Sequence, residues 1–221
     1  MKKVIFLLSL IVFVGCKPSV KQNSNGADSG STANSNGKPI DTLQSIINAN
    51  INRQPVVDTT FLGFAFSMTE KQALEHYIQL VKDKRLVKDA DGKLFEAPLT
   101  FSMIKAKATI GPEFHDGKMY KLTLMITPAD DAATAETVFF QAATAYMKKY
   151  DGGGFTLYRE ADPADPAVKR FHWIKNNLHI YLYKGNAETF VSYTNMPVGQ
   201  LVYKSKKNAA DSSKAQTSKD I

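Results

Sequence analysis

Between residues 41 and 203, apolar and polar positions follow two rhythms. Ala73, Leu74, Tyr77, Ile78 and Val81 recur at helical spacing, behind a Thr69-Glu70-Lys71-Gln72 segment with the spacing of a capping box. Ala135, Val138, Phe139, Ala142, Tyr146 and Tyr150 mark a second helix, with Asp130 or Asp131 as its expected cap. Lys148 and Lys149 sit in its last turn and Gly152-Gly153-Gly154 ends it. Leu43, Ile46 and Ile47 share one face of a short helix within Asp41–Asn50. The remaining segments alternate with period two. Phe61 to Phe66 is expected to be extended. Leu99, Phe101 and Met103 lie on one phase and Ile104, Ala106, Ala108 and Ile110 on the other, which predicts a β-bulge near Met103. Asp116-Gly117 is a hairpin turn leading into Tyr120, Leu122, Leu124 and Ile126. A three-strand meander over 168–175, 178–184 and 187–194 is joined by two-residue turns at Asn176-Asn177 and Gly185-Asn186.

Helices alternate with hairpins, so antiparallel pairing is expected rather than parallel crossovers. The fold class is α+β: a curved antiparallel sheet with two helices packed on one face. The helix-then-strands pattern occurs twice and hints at a diverged internal repeat, without residue-level identity between its halves.

The meander assigns faces. With a two-residue turn at Asn176-Asn177, Trp173 pairs with Ile180 and Phe171 with Leu182, all directed at the core. The opposite face carries Arg170, His172, Ile174, His179, Tyr181 and Tyr183, and counting across Gly185-Asn186 adds Phe190 opposite Tyr181. Aromatic and arginine side chains are enriched at binding hot spots, and exposed apolar surface marks partners. Arg170, His172, Tyr181, Tyr183 and Phe190 are therefore the candidate binding patch, unless another layer of the domain covers them.

The first residues change the picture. Lys2 and Lys3 precede an apolar run from Val4 to Val14, too short for the roughly 20 apolar residues a membrane-spanning helix needs. The run ends in Phe13-Val14-Gly15-Cys16, which resembles the lipobox of bacterial lipoproteins, with Phe13 where leucine is usual. The resemblance implies removal of residues 1–15 as a signal peptide and acylation of Cys16. Each buried acyl CH₂ contributes about 0.8 kcal/mol, so more than one chain anchors firmly. Cys16 is the chain's single cysteine, which leaves no disulfide framework. Residues 16–40 read as the lipidated Cys and a flexible Ser/Asn/Gly-rich tether, 41–203 as one α+β domain, and 204–221 as a disordered basic tail. Lys17 to Asn25 contains no acid, which points to an outer membrane location facing the periplasm.

The formal charge of +7 falls to +5 once Lys2 and Lys3 leave with the signal peptide. A basic surface suits nucleic acid in other settings, but export argues against that partner. Little points to chemistry. His76 and His115 have no partner at metal-ligand spacing, and His172 and His179 are diagonal neighbours without a third ligand. Asp162-Pro163-Ala164-Asp165-Pro166 places two carboxylates in a stiff loop, read as surface. No catalytic residue, cofactor or metal is assigned. The layout resembles small envelope proteins of the β-lactamase-inhibitor-protein-like class, and Phe61 to Thr69 resembles lead-in segments of small lipoproteins from Bacteroidetes-type bacteria. The resemblance carries no active site across, and the expected role is non-enzymatic binding of an unknown protein, glycan or lipid partner through the sheet face. The alternatives are an envelope hydrolase with a loop-assembled site and a lipid- or lipoprotein-handling factor.

Overall fold

Thr69 begins the first long helix for the reason its spacing suggests. Its Oγ1 accepts from Gln72 N at 3.3 Å, and Gln72 Oε1 accepts from Thr69 N at 2.9 Å, closing the capping box of α2 (Glu70–Lys82). The chain is seen in a computed structural model that describes residues 42–217, apart from residues 90, 93, 131, 132, 164, 165, 167 and 168. The segments expected to be signal peptide and tether, with Cys16, lie outside the described residues. Every described element belongs to one unit, Ile40–Ile221.

Helix α1 (Thr42–Asn50) opens the described chain. The strands are β1 (Val87–Lys88), β2 (Phe95–Phe101), β3 (Ile104–His115), β4 (Lys118–Pro128), β5 (Thr156–Ala161), β6 (Lys169–Lys175), β7 (Leu178–Lys184) and β8 (Thr189–Asn195). Helix α3 (Ala135–Tyr150) separates β4 from β5, and α4 (Met196–Thr217) follows β8. All eight strands form one antiparallel sheet in the order β1-β2-β3-β4-β8-β7-β6-β5. The fold is α+β. A helix followed by a four-strand meander occurs twice, and the two meanders join where β4 pairs with β8.

The core lies between α2, α3 and one face of this sheet. Phe139, Ala142 and Tyr146 of α3 are buried in the same cluster as Leu122, Leu124, Ile126, Trp173, Ile180, Leu182 and Val191. Burying side chains of this size contributes about 1.5–3 kcal/mol each. The buried tyrosine hydroxyls of the core are bonded. Tyr146 and Tyr193 share a hydroxyl–hydroxyl bond of 2.6 Å, and Tyr77 donates to the Ile110 carbonyl at 2.9 Å. Burial raises all three phenol pKa values, since it penalises the charged form.

Several local expectations are corrected. Phe61–Gly63 is a 3-10 turn and not a strand; only Thr59 and Ala65 form a bridge there. Leu62 takes φ 54°, and its carbonyl meets His76 Nε2 at 2.9 Å, so His76 is structural. The phase change near Met103 is a hairpin and not a bulge: Phe101 pairs with Ile104, Ser102 has φ 58°, and Met103 is 91% exposed. Both devices shift an alternating pattern, which is why the pattern did not separate them. The register shift lies between Glu113 and Phe114. The cap of α3 is Thr134, whose Oγ1 accepts from Thr137 N at 3.1 Å. Asp130 precedes that cap, and Asp131 is not among the described residues. In α2 the buried positions are Ala73, Tyr77 and Leu80, while Leu74 and Ile78 face outward. Edge strand β5 was not expected; both its faces are polar or open. Residues 204–217, read as tail, continue α4, exposed on every described side chain from Tyr203 to Ala210.

Candidate functional site on the outer sheet face

The outer face is a set of cross-strand rows fixed by register. Asn176-Asn177 is the expected two-residue turn, and Trp173 pairs with Ile180 as counted. The next turn is longer: Lys184 pairs with Thr189, and Gly185 N donates to Glu188 O at 2.7 Å. Tyr181 therefore faces Ser192, and Phe190 faces Tyr183. The slip is two residues, and side chains alternate with period two, so every residue keeps its expected face.

One row runs His179, Thr194, Lys121, Glu113; a second runs His172, Tyr181, Ser192, Thr123, Gly111; a third runs Tyr183, Phe190, Met125, Thr109. The rings of the last two rows stack. Centroids are 4.5 Å apart for His172–Tyr181, 4.8 Å for Tyr181–Tyr183 and 5.1 Å for Tyr183–Phe190, with interplanar angles of 16–23°. Tyr181, Tyr183 and Phe190 remain partly exposed.

The other two candidates, buried His172 and partly exposed Arg170, are engaged by other groups of the fold. His172 is only 3% exposed and Ile174 beside it is fully buried, because α1 packs on β6. Arg170 is forked onto Asp162 by bonds of 2.9 and 3.2 Å, and that bond to Asp162 raises its pKa. Asp162, read as part of a surface loop, is thus a buried partner of the sheet; Asp165 lies outside the described residues. Both side chains are thus engaged by neighbours within the fold.

Strands β5, β6 and β7 bring three groups into line. His172 Nδ1 lies 3.0 Å from His179 Nε2, and His172 Nε2 lies 3.3 Å from Glu160 Oε1. A carboxylate only accepts, so Glu160 favours a proton on His172 Nε2. His172 Nδ1 and His179 Nε2 share one hydrogen bond, whose donor depends on the tautomers, and Nδ1 of His179 has no part in it. Burial, and then the neighbouring His172, push the His179 pKa well below the usual histidine range and keep it neutral. The two imidazoles bind each other. Among the described residues no group of three or more His, Cys, Asp and Glu could hold a metal ion.

His179 opens into a cleft of about 890 Å³. Its floor is the first row. Gln44, Ile47 and Asn48 of α1 form one wall, and Val202, Tyr203, Lys204, Lys206 and Lys207 of α4 form the other. Gly199 lets α4 settle here: a Cβ on it would lie 2.8 Å from the Thr194 methyl. Glu113 accepts from Lys121 and from Tyr120, both at 2.7 Å. Burial alone would raise the Glu113 pKa, but these bonds and the charges of Lys121 and Lys206 bring it below its ordinary value. Burial, and then the bond to Glu113, raise Tyr120 to about 12. The floor is thus a satisfied polar network under apolar and basic walls.

Sequence reasoning placed His179 on this face but did not assign it to the site, although its diagonal position to His172 was legible. Glu160 and the wall of α4 were missed. No helix among the described residues is long and apolar enough to cross a membrane. No family model, no curated protein and no solved structure matches this chain.

Proposed function

We propose that this is an exported, lipid-anchored bacterial envelope protein that acts as a non-enzymatic binding module. The apolar run ending in Val14-Gly15-Cys16 supports the anchor, with acyl chains on Cys16 holding the protein to the outer membrane on its periplasmic side. The observation that carries the binding role is the cleft of about 890 Å³ between α1 and α4; its floor residue His179 lies 6.1 Å, centroid to centroid, from Tyr181, the start of the partly exposed stack with Tyr183 and Phe190. Clefts of ~300–1,000 Å³ with apolar walls and a few placed polar groups are where small ligands bind. Protein, glycan and lipid remain the partner classes.

Native mass spectrometry of protein extracted from intact envelopes tests this reading. A ligand carried by wild type and missing from Ile47→Asp with Val202→Asp supports it. No ligand in either, or the same ligand in both, contradicts it. For the anchor, Cys16→Ala releases the protein from membranes; normal acyl labelling of that variant contradicts the assignment.

The Glu160, His172 and His179 line favours a second reading, an envelope hydrolase in which His179 removes a proton from the nucleophile. Water or the Thr194 hydroxyl, on the strand position paired with His179, would be the nucleophile. Turnover of ester or amide substrates by wild type and its loss in His179→Gln would favour it over pure binding.

A further inference from the structure

The chemistry of the cleft changes along α4. Met196, Gly199, Gln200, Val202 and Tyr203, uncharged and mostly apolar, line it first, followed by Lys204, Lys206 and Lys207. The distance along the helix from Met196 to Lys207 is about 16 Å. The facing wall adds Ile47 and two neutral amides, Gln44 and Asn48. Across the floor, Glu113 is the one acid among the lining residues, and it is already bound to Lys121 at 2.7 Å. The three lysines of α4 therefore add positive charge that the lining does not offset. One end is apolar and the other cationic.

Resting on the reading of this cleft as the ligand site, we propose that it binds a single-chain anionic amphiphile. The carboxylate or phosphate head sits among Lys204, Lys206 and Lys207, and the acyl chain runs toward Met196 and Ile47. A concave site favours one chain over a membrane surface, since a flat bilayer face does not enter a cleft. Neutral His179 adds no charge to the floor beneath the chain and offers Nδ1 to a hydroxyl or amide on it.

The test uses the full mature chain carrying Cys16→Ala, so that no detergent competes. A fluorophore-labelled long-chain fatty acid is titrated in, then displaced by unlabelled fatty acid, by the fatty alcohol of equal length, or by vesicles containing anionic lipid. Saturable one-to-one binding is expected, with the alcohol weaker by about tenfold or more. Each exposed lysine contributes about two- to fivefold. The triple variant Lys204→Ala, Lys206→Ala, Lys207→Ala should weaken the acid by about tenfold or more and leave the alcohol unchanged. Ile47→Asp should weaken both, with thermal melts confirming that each variant is folded. Equal affinity for acid and alcohol, indifference to the triple variant, or binding to vesicles without uptake of the monomeric probe would overturn the proposal. An envelope ligand that depends on the cleft but is displaced by no fatty acid leaves the binding-module reading standing and removes this ligand class. The absence of any cleft-dependent ligand removes both.

Discussion

On one face of the sheet Trp173, Ile180 and Leu182 disappear into the core with α3; on the other, His172, His179 and Tyr181 pair and stack with one another. The two sets come from the same strands, one residue apart. The core face is closed by a second layer of matching volume, so its energy is spread over many apolar contacts. The outer face is covered only in part, by α1 over β6 and by α4 over β4 and β8, and several of its polar groups pair with neighbours: Arg170 with Asp162, Glu113 with Lys121 and Tyr120, His172 with His179. The first arrangement supplies stability. The second holds polar and aromatic groups in fixed positions while leaving surface for something else, which is what a binding site requires.

That contrast makes graded expectations. The largest effect belongs to the core face: Phe139→Ala or Trp173→Ala should cost about 3–5 kcal/mol in urea denaturation. Phe140, its neighbour on α3, is 52% exposed, and Phe140→Ala should change stability by less than about 0.5 kcal/mol. Equal costs would mean that α3 is rotated. Next, Tyr193→Phe leaves the Tyr146 hydroxyl buried and unpaired and should cost about 1–3 kcal/mol by the same assay.

The histidine pair responds to acid. His179 is neutral in the fold with a depressed pKa, so the unfolded chain takes up the proton first. Its contribution to stability is full above the unfolded value of about 6.5 and is lost as pH falls below it, by up to about 1.4 kcal/mol per pH unit. Glu160, His172, Tyr181 and the floor residues Lys121 and Glu113 are among the charged and titratable groups around it. Urea melts at several pH values should show a shallower acid slope for His179→Gln than for wild type; identical slopes would place its proton elsewhere. The smallest effect on stability is expected from Tyr181→Ala with Phe190→Ala. Cross-strand aromatic contacts are worth about 0.2–1 kcal/mol each, so the fold should survive while partner capture weakens. Undiminished capture of the same partner would reduce the stacked rings to solvated sheet.

The core face was legible because it obeys local rules. Tyr146 and Phe139 follow the helical period, and Trp173 follows period two. The face of Phe190 came out correctly even though its turn did not, since an error of two residues preserves direction. Where two devices leave the same trace, as with hairpin and bulge at Met103, the pattern could not choose. The cleft was illegible for a different reason. It joins Ile47, Lys121, His179 and Val202, which are distant in sequence, so no spacing signals it. Helix α4 is polar beyond Tyr203, and what seats it is the missing side chain of Gly199 against Thr194, a tertiary contact with no local signature.

Site-specific photo-crosslinking in living cells tests the central claim most directly. A photoreactive phenylalanine replaces Tyr203 at the cleft mouth or, as the control, Phe140 on the opposite side of the sheet; both positions are exposed, at 70% and 52%. A discrete adduct with one envelope component from position 203, and none from position 140, is the expected result. Equal adducts from both positions, or none from position 203, would contradict a binding site on the outer face.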